Sequence, residues 1–355
     1  MTHYLFALTD AGGTVPPELG AVRAVLERGH QATVLGDATM AEEVAATGAD
    51  FRPWSESARP VEDWRKQSPT AMAKMMADQM FSGPAAGHAR DTTAAIGELT
   101  PGAVVTSFVA VGAMMAAEAA ALPFAVLIPN VYPMPAAGIP PFGLGLAPVR
   151  GPFGRLRDRV VTAGSTRMLG RYALGPLNEV RAGYGLPPLT SPWGQHQRAQ
   201  RQLVLTAAEF DFPGDLPPTV RYVGPVLDDP AWASGDWSPP AGEGPFVLVA
   251  MSSTFQDHVD CLQRVADALA AAGVRGLVTT GPAVAPEQVR GSSDVAVVSS
   301  APHAAVLPHA DLVVTHGGHG TLMMALAADR PMVVMPHGRD QGDNARRLTE
   351  RGAAV

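Results

Sequence analysis

The chain has 355 residues, 46% of them apolar, and a formal net charge of −7. That length suits two domains of ordinary size with material for two buried cores, and the acidic balance gives no basic footprint for nucleic acid. A single cysteine, Cys261, excludes an intramolecular disulfide framework and fits a reducing cytosol, its thiol reading best as a small buried hydrophobe on a helix.

No basic segment precedes the first apolar run, which Asp10 soon ends, so no signal peptide is expected and the chain reads as cytoplasmic. The stretch Ala103 to Pro129 is the one that could suggest a membrane span. It holds Glu118 and Pro123 and changes period twice, so it reads as strand, helix and strand.

Tyr4 to Leu8 is the first predicted strand. A helix over Leu19 to Glu27 follows, with Leu19, Val22, Val25 and Leu26 at helical spacing and Gly29 ending it. Strand Ala32 to Leu35, helix Met40 to Thr47 and strand Ala49 to Arg52 complete βαβαβ, the start of a doubly wound parallel sheet. After a polar loop from Trp54 to Pro69, helices are predicted over Ala71 to Phe81 and Ala85 to Leu99. Met72, Met75, Met76 and Met80 run along the first of these, a stripe that suits core packing or the lining of an adaptable apolar pocket.

Pro129 to Pro152 is dense in proline and glycine and carries Tyr132, Met134, Phe142 and Leu144; a loop of this length is a binding segment or an ordinary connection. Gly154 to Ala182 reads as helical, with possible breaks at Gly164 and Gly170, and Leu203 to Thr206 and Arg221 to Val223 as short strands. Residues 224–244 have linker chemistry. The rhythm then restarts: strand Phe246 to Ala250, helix Val259 to Ala272, strands Arg275 to Thr279 and Val295 to Val298, and a turn at His303 to Leu307.

Next comes strand Leu312 to Thr315, the turn His316-Gly317-Gly318-His319-Gly320-Thr321, and good helix formers from Leu322 to Ala328. Such a junction aims unpaired N–H groups and a helix dipole at one point, which suits a phosphate. Met323 breaks the dinucleotide spacing and no Walker Lys-Ser/Thr pair is present, and a tight turn without a ligand fits the glycines equally well. A second strand, Pro331 to Met335, delivers Pro336-His337-Gly338-Arg339-Asp340-Gln341 to the same edge, ahead of a helix near Asn344. Asp340 and Gln341 could read neighbouring hydroxyls. A phosphate cradle beside a hydroxyl reader describes a nucleotide-sugar site. His316, His319 and His337 also invite zinc, but they lack the further ligands such sites use, and no metal is expected.

The run T-H-G-G-H-G-T with D-Q-x-x-N about twenty residues on closely resembles the donor motif of GT-B nucleotide-sugar glycosyltransferases, nearest to actinomycete antibiotic enzymes that move deoxysugars to polyketide aglycones. The likeness runs through nearly the whole chain. It implies an α/β protein of two doubly wound Rossmann-like domains facing across a cleft: an acceptor domain at 1–223, a linker at 224–244 and a donor domain at 245–355. Relatives continue for several tens of residues, so the donor domain is expected to lack its final strand and helices and to be less stable for it. The implied reaction is inverting transfer of a deoxysugar from a TDP- or UDP-sugar to an aromatic polyketide or similar aglycone, with no metal or other cofactor and no nucleic acid or membrane partner. The sequence sets no oligomeric state. A nucleotide-sugar epimerase and a non-catalytic donor-binding helper are the rival readings.

Carried over by resemblance, the His316 ring bonds the diphosphate, and the backbone N–H groups of Gly318, Gly320 and Thr321 complete its cradle. Ser252, Ser253 and Thr254 bond the diphosphate or sugar, the His303 backbone pairs with the nucleobase, and Asp340 and Gln341 read the sugar. His309 matches the pattern as a structural residue. Met76, Met80, Ser107, Tyr132, Met134 and Phe142 are the expected acceptor pocket. The chain departs from the family at the catalytic base: Gly12 stands where many relatives carry the base histidine, and Ser107 where they carry its orienting aspartate. Asp10 is the nearest titratable group on that loop and is the expected base or orienter, a capping role being the alternative. A phenol acceptor asks less of a base than an alcohol does.

Overall fold

A computed structural model describes residues 1–56, 62–65, 67–149, 151–233 and 237–355. Parts of the polar loop after Trp54, of the proline-rich segment ending at Pro152 and of the expected linker therefore lie outside the described residues. The chain divides into two compact units: Met1–Pro141 with Pro148–Ala208 and Phe212–Gly224, and Phe142–Ala147 with Glu209–Asp211 and Pro225–Val355.

The first unit runs β1 (His3–Ala7), α1 (Val15–Glu27), β2 (Gln31–Gly36), α2 (Ala41–Ala45), β3 (Asp50–Pro53), α3 (Pro69–Met76), α4 (Ala85–Leu99), β4 (Ala103–Ser107), α5 (Val111–Ala119), β5 (Phe124–Ile128), α6 (Pro152–Gly183), β6 (Arg201–Val204) and β7 (Val220–Tyr222). Its seven strands are ordered β3-β2-β1-β4-β5-β6-β7 and their pairings are parallel. Successive side chains of a strand point to opposite faces. Phe6 and Leu8 accordingly join Val15, Leu19 and Val22 of α1, whereas Leu5 and Ala7 join Ala95 of α4 and Ala113 of α5. Burial on both faces explains why the strands read as continuous apolar runs.

Three local differences from the sequence reading have physical causes. Helix α1 begins at Val15, four residues early, because Pro16 and Pro17 occupy the first turn, where a missing N–H costs no helical bond. The expected helix Ala71 to Phe81 divides into α3 and a π turn at Ala77–Phe81. That turn packs Phe81, with Met76 and Met80 half-buried beside it, against Leu169 and Ala173 of α6. Helix α6 runs unbroken through Gly164 and Gly170.

The second unit comprises β8 (Phe246–Ala250), α7 (Val259–Ala271), β9 (Arg275–Thr279), β10 (Val295–Val298), α8 (His303–Val306), β11 (Leu312–Thr315), α9 (His319–Ala327), β12 (Met332–Val334) and α10 (Gln341–Glu350). The parallel strand order is β10-β9-β8-β11-β12. The last residues pair with β12 as well: Met332 N–H donates to the Ala353 carbonyl and Val355 N–H to the Met332 carbonyl, each at 3.1 Å. No strand was expected there from the sequence.

Two short segments from earlier in the chain complete this unit. The Asp343 carboxylate accepts the N–H groups of Gly143 and Gly145, the latter at 2.8 Å. Arg347 donates through Nε and Nη2 to Asp211 Oδ1 at 3.0 and 2.7 Å, an ion pair buried on both sides. Phe142, expected to line a pocket of the first domain, is thereby part of the second unit.

Candidate functional site

In the second sheet, β8, β9 and β10 run outward to one side and β11 and β12 to the other. The order therefore reverses between β8 and β11, and ligands of open parallel sheets bind outside the carboxyl ends of the strands at such a point. Two loops meet there, Met251 to His258 after β8 and His316 to Gly318 after β11.

The loop after β11 is shaped by glycine. Gly317 has φ +93, and a Cβ on it would lie 2.9 Å from Val334 Cγ1 and 3.2 Å from the Gln341 carbonyl oxygen, so the chain can pass only without a side chain. Gly318 is the N-cap of α9, and the first helical bond runs from Leu322 N–H to the Gly318 carbonyl. The N–H groups of His319, Gly320 and Thr321 precede that bond and have no intrahelical acceptor. A Cβ on Gly320 would meet nothing within 4 Å, leaving open space over these donors. With the helix dipole they form an anion site.

His316 is 8% exposed and its Nδ1 has no hydrogen-bond partner. Burial first, then the neighbouring His337 and His258 and the Arg339 guanidinium, push its pKa down to about 3, against the pull of the Ala250 carbonyl. The ring is uncharged at neutral pH, with one N–H donor and one acceptor nitrogen, and sits at the site without the desolvation cost of a buried cation. Gly318 stands so close that a Cβ there would come within 2.7 Å of the His316 ring.

The loop after β8 carries Ser252, buried, with Ser253 and Thr254 half-exposed. Ser252 Oγ accepts the Thr254 N–H at 3.2 Å, a local turn, while α7 is capped by His258, so these hydroxyls are not spent on that helix. His303 opens α8; its N–H and that of Ala304 donate to the Asp229 carboxylate at 2.9 and 3.0 Å, which occupies its backbone N–H. His309 packs its ring against Trp237.

Asp340 and Gln341 part company. Gln341 Oε1 accepts the N–H groups of His337 and Gly338 at 2.7 and 3.1 Å, and its Nε2 donates to Gln256 Oε1 at 2.9 Å, so the amide holds the loop after β12. Asn344 Nδ2 donates both to the Gly317 carbonyl and to Asp340 Oδ2 at 2.9 Å, tying the two loops together. Burial raises the Asp340 pKa.

The structure adds two residues that sequence reasoning missed. Arg339, exposed with φ +56, donates from Nη1 to Thr254 Oγ1 at 2.9 Å and brings a cation to the site. It was legible as the only arginine or lysine in the loops after β8, β11 and β12. His258 is buried with Nε2 unpartnered, its ring 6.4 Å from that of His337; nothing in its spacing marked it. His319 faces the other way, against Phe210 and toward Asp211, so His316, His319 and His337 do not converge. Among the described residues no three His, Cys, Asp or Glu side chains group as metal ligands.

In the first unit, Tyr132 and Met134 line a cavity of about 1390 Å³ with Trp193, His196 and residues of α6. Ser107 is not part of that lining; it ends β4 buried, 3.4 Å from Thr9 Oγ1. Asp10 is exposed and closes its loop, accepting Gly12 N–H at 2.9 Å and the Thr39 hydroxyl at 2.6 Å.

Residues 190–355 match the family model for UDP-glucoronosyl and UDP-glucosyl transferase. The chain is 30% identical over 370 residues to 4'-demethylrebeccamycin synthase of Lentzea aerocolonigenes, covering 99% of this chain and 86% of that protein. It is 33% identical over 138 residues to an oleandomycin glycosyltransferase of Streptomyces antibioticus, 38% of this chain and 31% of that one. The fold matches the solved kitacinnamycin glycosyltransferase with a TM-score of 0.77 at 23% identity, covering 99% and 85% of the two chains. It matches a calicheamicin glycosyltransferase with a TM-score of 0.76 at 22% identity, covering 100% and 85%. The chain belongs to the UDP-glucoronosyl and UDP-glucosyl transferase family, and it is a glycosyltransferase of GT-B fold whose relatives include antibiotic enzymes.

Proposed function

We propose that this glycosyltransferase moves a deoxysugar from a TDP- or UDP-sugar to an apolar aromatic aglycone with inversion at the anomeric carbon. The observation that carries the donor half is the open N-terminus of α9 beside the neutral His316 ring, whose Nδ1 has no hydrogen-bond partner. As the anomeric carbon–oxygen bond breaks, negative charge grows on the diphosphate. Fixed N–H donors and a helix dipole aimed at that charge stabilise it without reorganising. In this reading Ser252, Ser253, Thr254 and Arg339, which are linked through Thr254, hold the diphosphate or sugar, and Asp340 accepts a sugar hydroxyl.

The cavity lined by Tyr132 and Met134 gives the first unit room for a polycyclic molecule, and the relative from Lentzea aerocolonigenes carries an antibiotic name. The test is release of free nucleoside diphosphate from TDP- and UDP-deoxysugars with and without a panel of phenols, with the product's anomeric configuration read by NMR. Release that depends on the phenol and inverts the centre is expected. Conversion of the donor with no phenol would favour an epimerase, and tight binding without turnover a helper; either would overturn the transferase assignment of substrate.

A further inference from the structure

The first sheet has its own reversal of strand order, between β1 and β4, yet the loops there contribute nothing to the 1390 Å³ cavity of this unit. That cavity is lined by α6 together with the segments that follow β5 and α6, all of them within the first unit. Helix α6 is strongly cationic, with six arginines against two acids in a chain whose net charge is −7. Two of the six have carboxylates of their own. Arg181 is buried and bonds Glu118 at 2.8 Å, and Arg157 donates to Asp158 Oδ1 from Nε at 2.9 Å and from Nη2 at 2.7 Å.

The other four, Arg155, Arg159, Arg167 and Arg171, line the cavity and are exposed. Among the described residues none of these four has a side-chain ion pair or hydrogen bond. The one acid in the lining, Asp158, is the carboxylate that Arg157 already holds. His196, also in the lining, is uncharged at neutral pH, because burial pushes its pKa down to about 4. Arg155 and Arg159, and again Arg167 and Arg171, stand four residues apart, so each pair sets like charges side by side on the helix, which weakens it. Folding alone does not explain two such pairs, whereas a bound anion does.

The second pair stands beside an aromatic wall. Gly170 lies against Pro192, where a Cβ on it would come within 3.5 Å of the proline Cδ. Arg171 follows Gly170, Arg167 is about one turn before it, and Trp193 follows Pro192. The Trp193 ring is held edge-on against Phe81 at 5.7 Å. Tyr132, whose hydroxyl donates to Gln202 Oε1 at 3.4 Å, and Met134 extend the wall.

We propose that this cavity selects aromatic molecules carrying an ionised carboxyl group, with the rings against Trp193, Tyr132 and Met134 and the carboxylate against Arg167 and Arg171. A guanidinium suits such a ligand in two ways: its fork meets a carboxylate with two parallel N–H bonds, and its plane stacks on aromatic rings. Arg155 and Arg159, roughly 18 Å further along the helix by its rise per residue, are too distant to share that carboxylate and add to the field that draws an anion in. As a statement about the acceptor this rests on the transferase reading above: the aglycone keeps its apolar ring system and bears a carboxyl group besides its phenol.

The test is calorimetric titration of anthraquinone-2-carboxylate, and of its uncharged carboxamide, into wild type, Arg167→Gln/Arg171→Gln and Arg155→Gln/Arg159→Gln. Wild type should bind the acid about tenfold more tightly than the amide, by a margin that shrinks as salt rises. Arg167→Gln/Arg171→Gln should bind both ligands alike, near the wild-type affinity for the amide, at a melting temperature no lower than that of wild type because a repelling pair has gone. Arg155→Gln/Arg159→Gln should weaken acid binding by less than about threefold. Failure of wild type to prefer the acid, or a preference that survives Arg167→Gln/Arg171→Gln, would overturn the proposal. Release of nucleoside diphosphate is read separately: acid-selective binding with no release in the presence of hydroxylated aromatic acids would uphold the carboxylate site and overturn the transferase reading of its occupant.

Discussion

The two points of strand reversal share a plan, with a loop leaving a central parallel strand and entering a helix, but their chemistry is opposite. At the second, three N–H groups of α9 are free and the nearby imidazole is neutral, so the end is built to receive negative charge. At the first, Pro16 and Pro17 supply no N–H, the Val15 N–H is taken by the Gly12 carbonyl, and the next N–H, that of Glu18, already bonds Thr14. That helix end has no donor to give an anion and presents a buried acid instead. One topology thus leaves free N–H donors at one helix start and none at the other, decided by a few residues in the first turn of each helix.

The broadest way to stress this contrast is pH. His316 and His319 in the second unit, and His88 and His196 in the first, are held at about 3 to 4 by burial. A depressed histidine contributes stability that is complete above the unfolded value near 6.5 and lost as pH falls below it, because the unfolded chain takes up the proton first. Both units should lose stability from pH 6.5 toward 4, seen by calorimetry, whereas Glu18 contributes stability in the first unit only, complete below its unfolded value and lost as pH rises from there to about 8. His316→Ala should next lower kcat by about 100- to 1,000-fold, the cost of one donor to developing charge, with the fold retained by circular dichroism. Gly317→Ala should cost about 1–3 kcal/mol of stability, since a Cβ is strained at φ +93 and meets Val334. Arg339→Ala, which removes an exposed cation, should weaken TDP binding by less than about tenfold and the more so at low salt; an unchanged affinity would take Arg339 out of the site.

Much of the second unit was legible because its signals are local. The strand Leu312 to Thr315 and the glycine turn after it declare themselves in consecutive residues, and the motif Asn344 lands where it binds Gly317. Sequence places Gln341 beside Asp340 but is silent on which way its amide turns; the structure bonds that amide to His337, Gly338 and Gln256. In the first unit the helix start was hidden by Pro16 and Pro17, read as loop though they fit a first turn. That hid Glu18 too, since a glutamate in a loop invites no question and a glutamate on the buried face of a helix does. The placement of Phe142 in the second unit depends on Asp343 some 200 residues on, a contact that no local pattern encodes.

The account turns on where the donor diphosphate lies, and a calorimetric titration of TDP into wild type and Gly320→Asp tests it most directly. Open space around Gly320 lets the new side chain fit without disturbing the fold, while its carboxylate stands over the free N–H groups of α9. Affinity should fall by more than about tenfold at a melting temperature no lower than that of wild type; equal affinity for the two proteins would contradict the account.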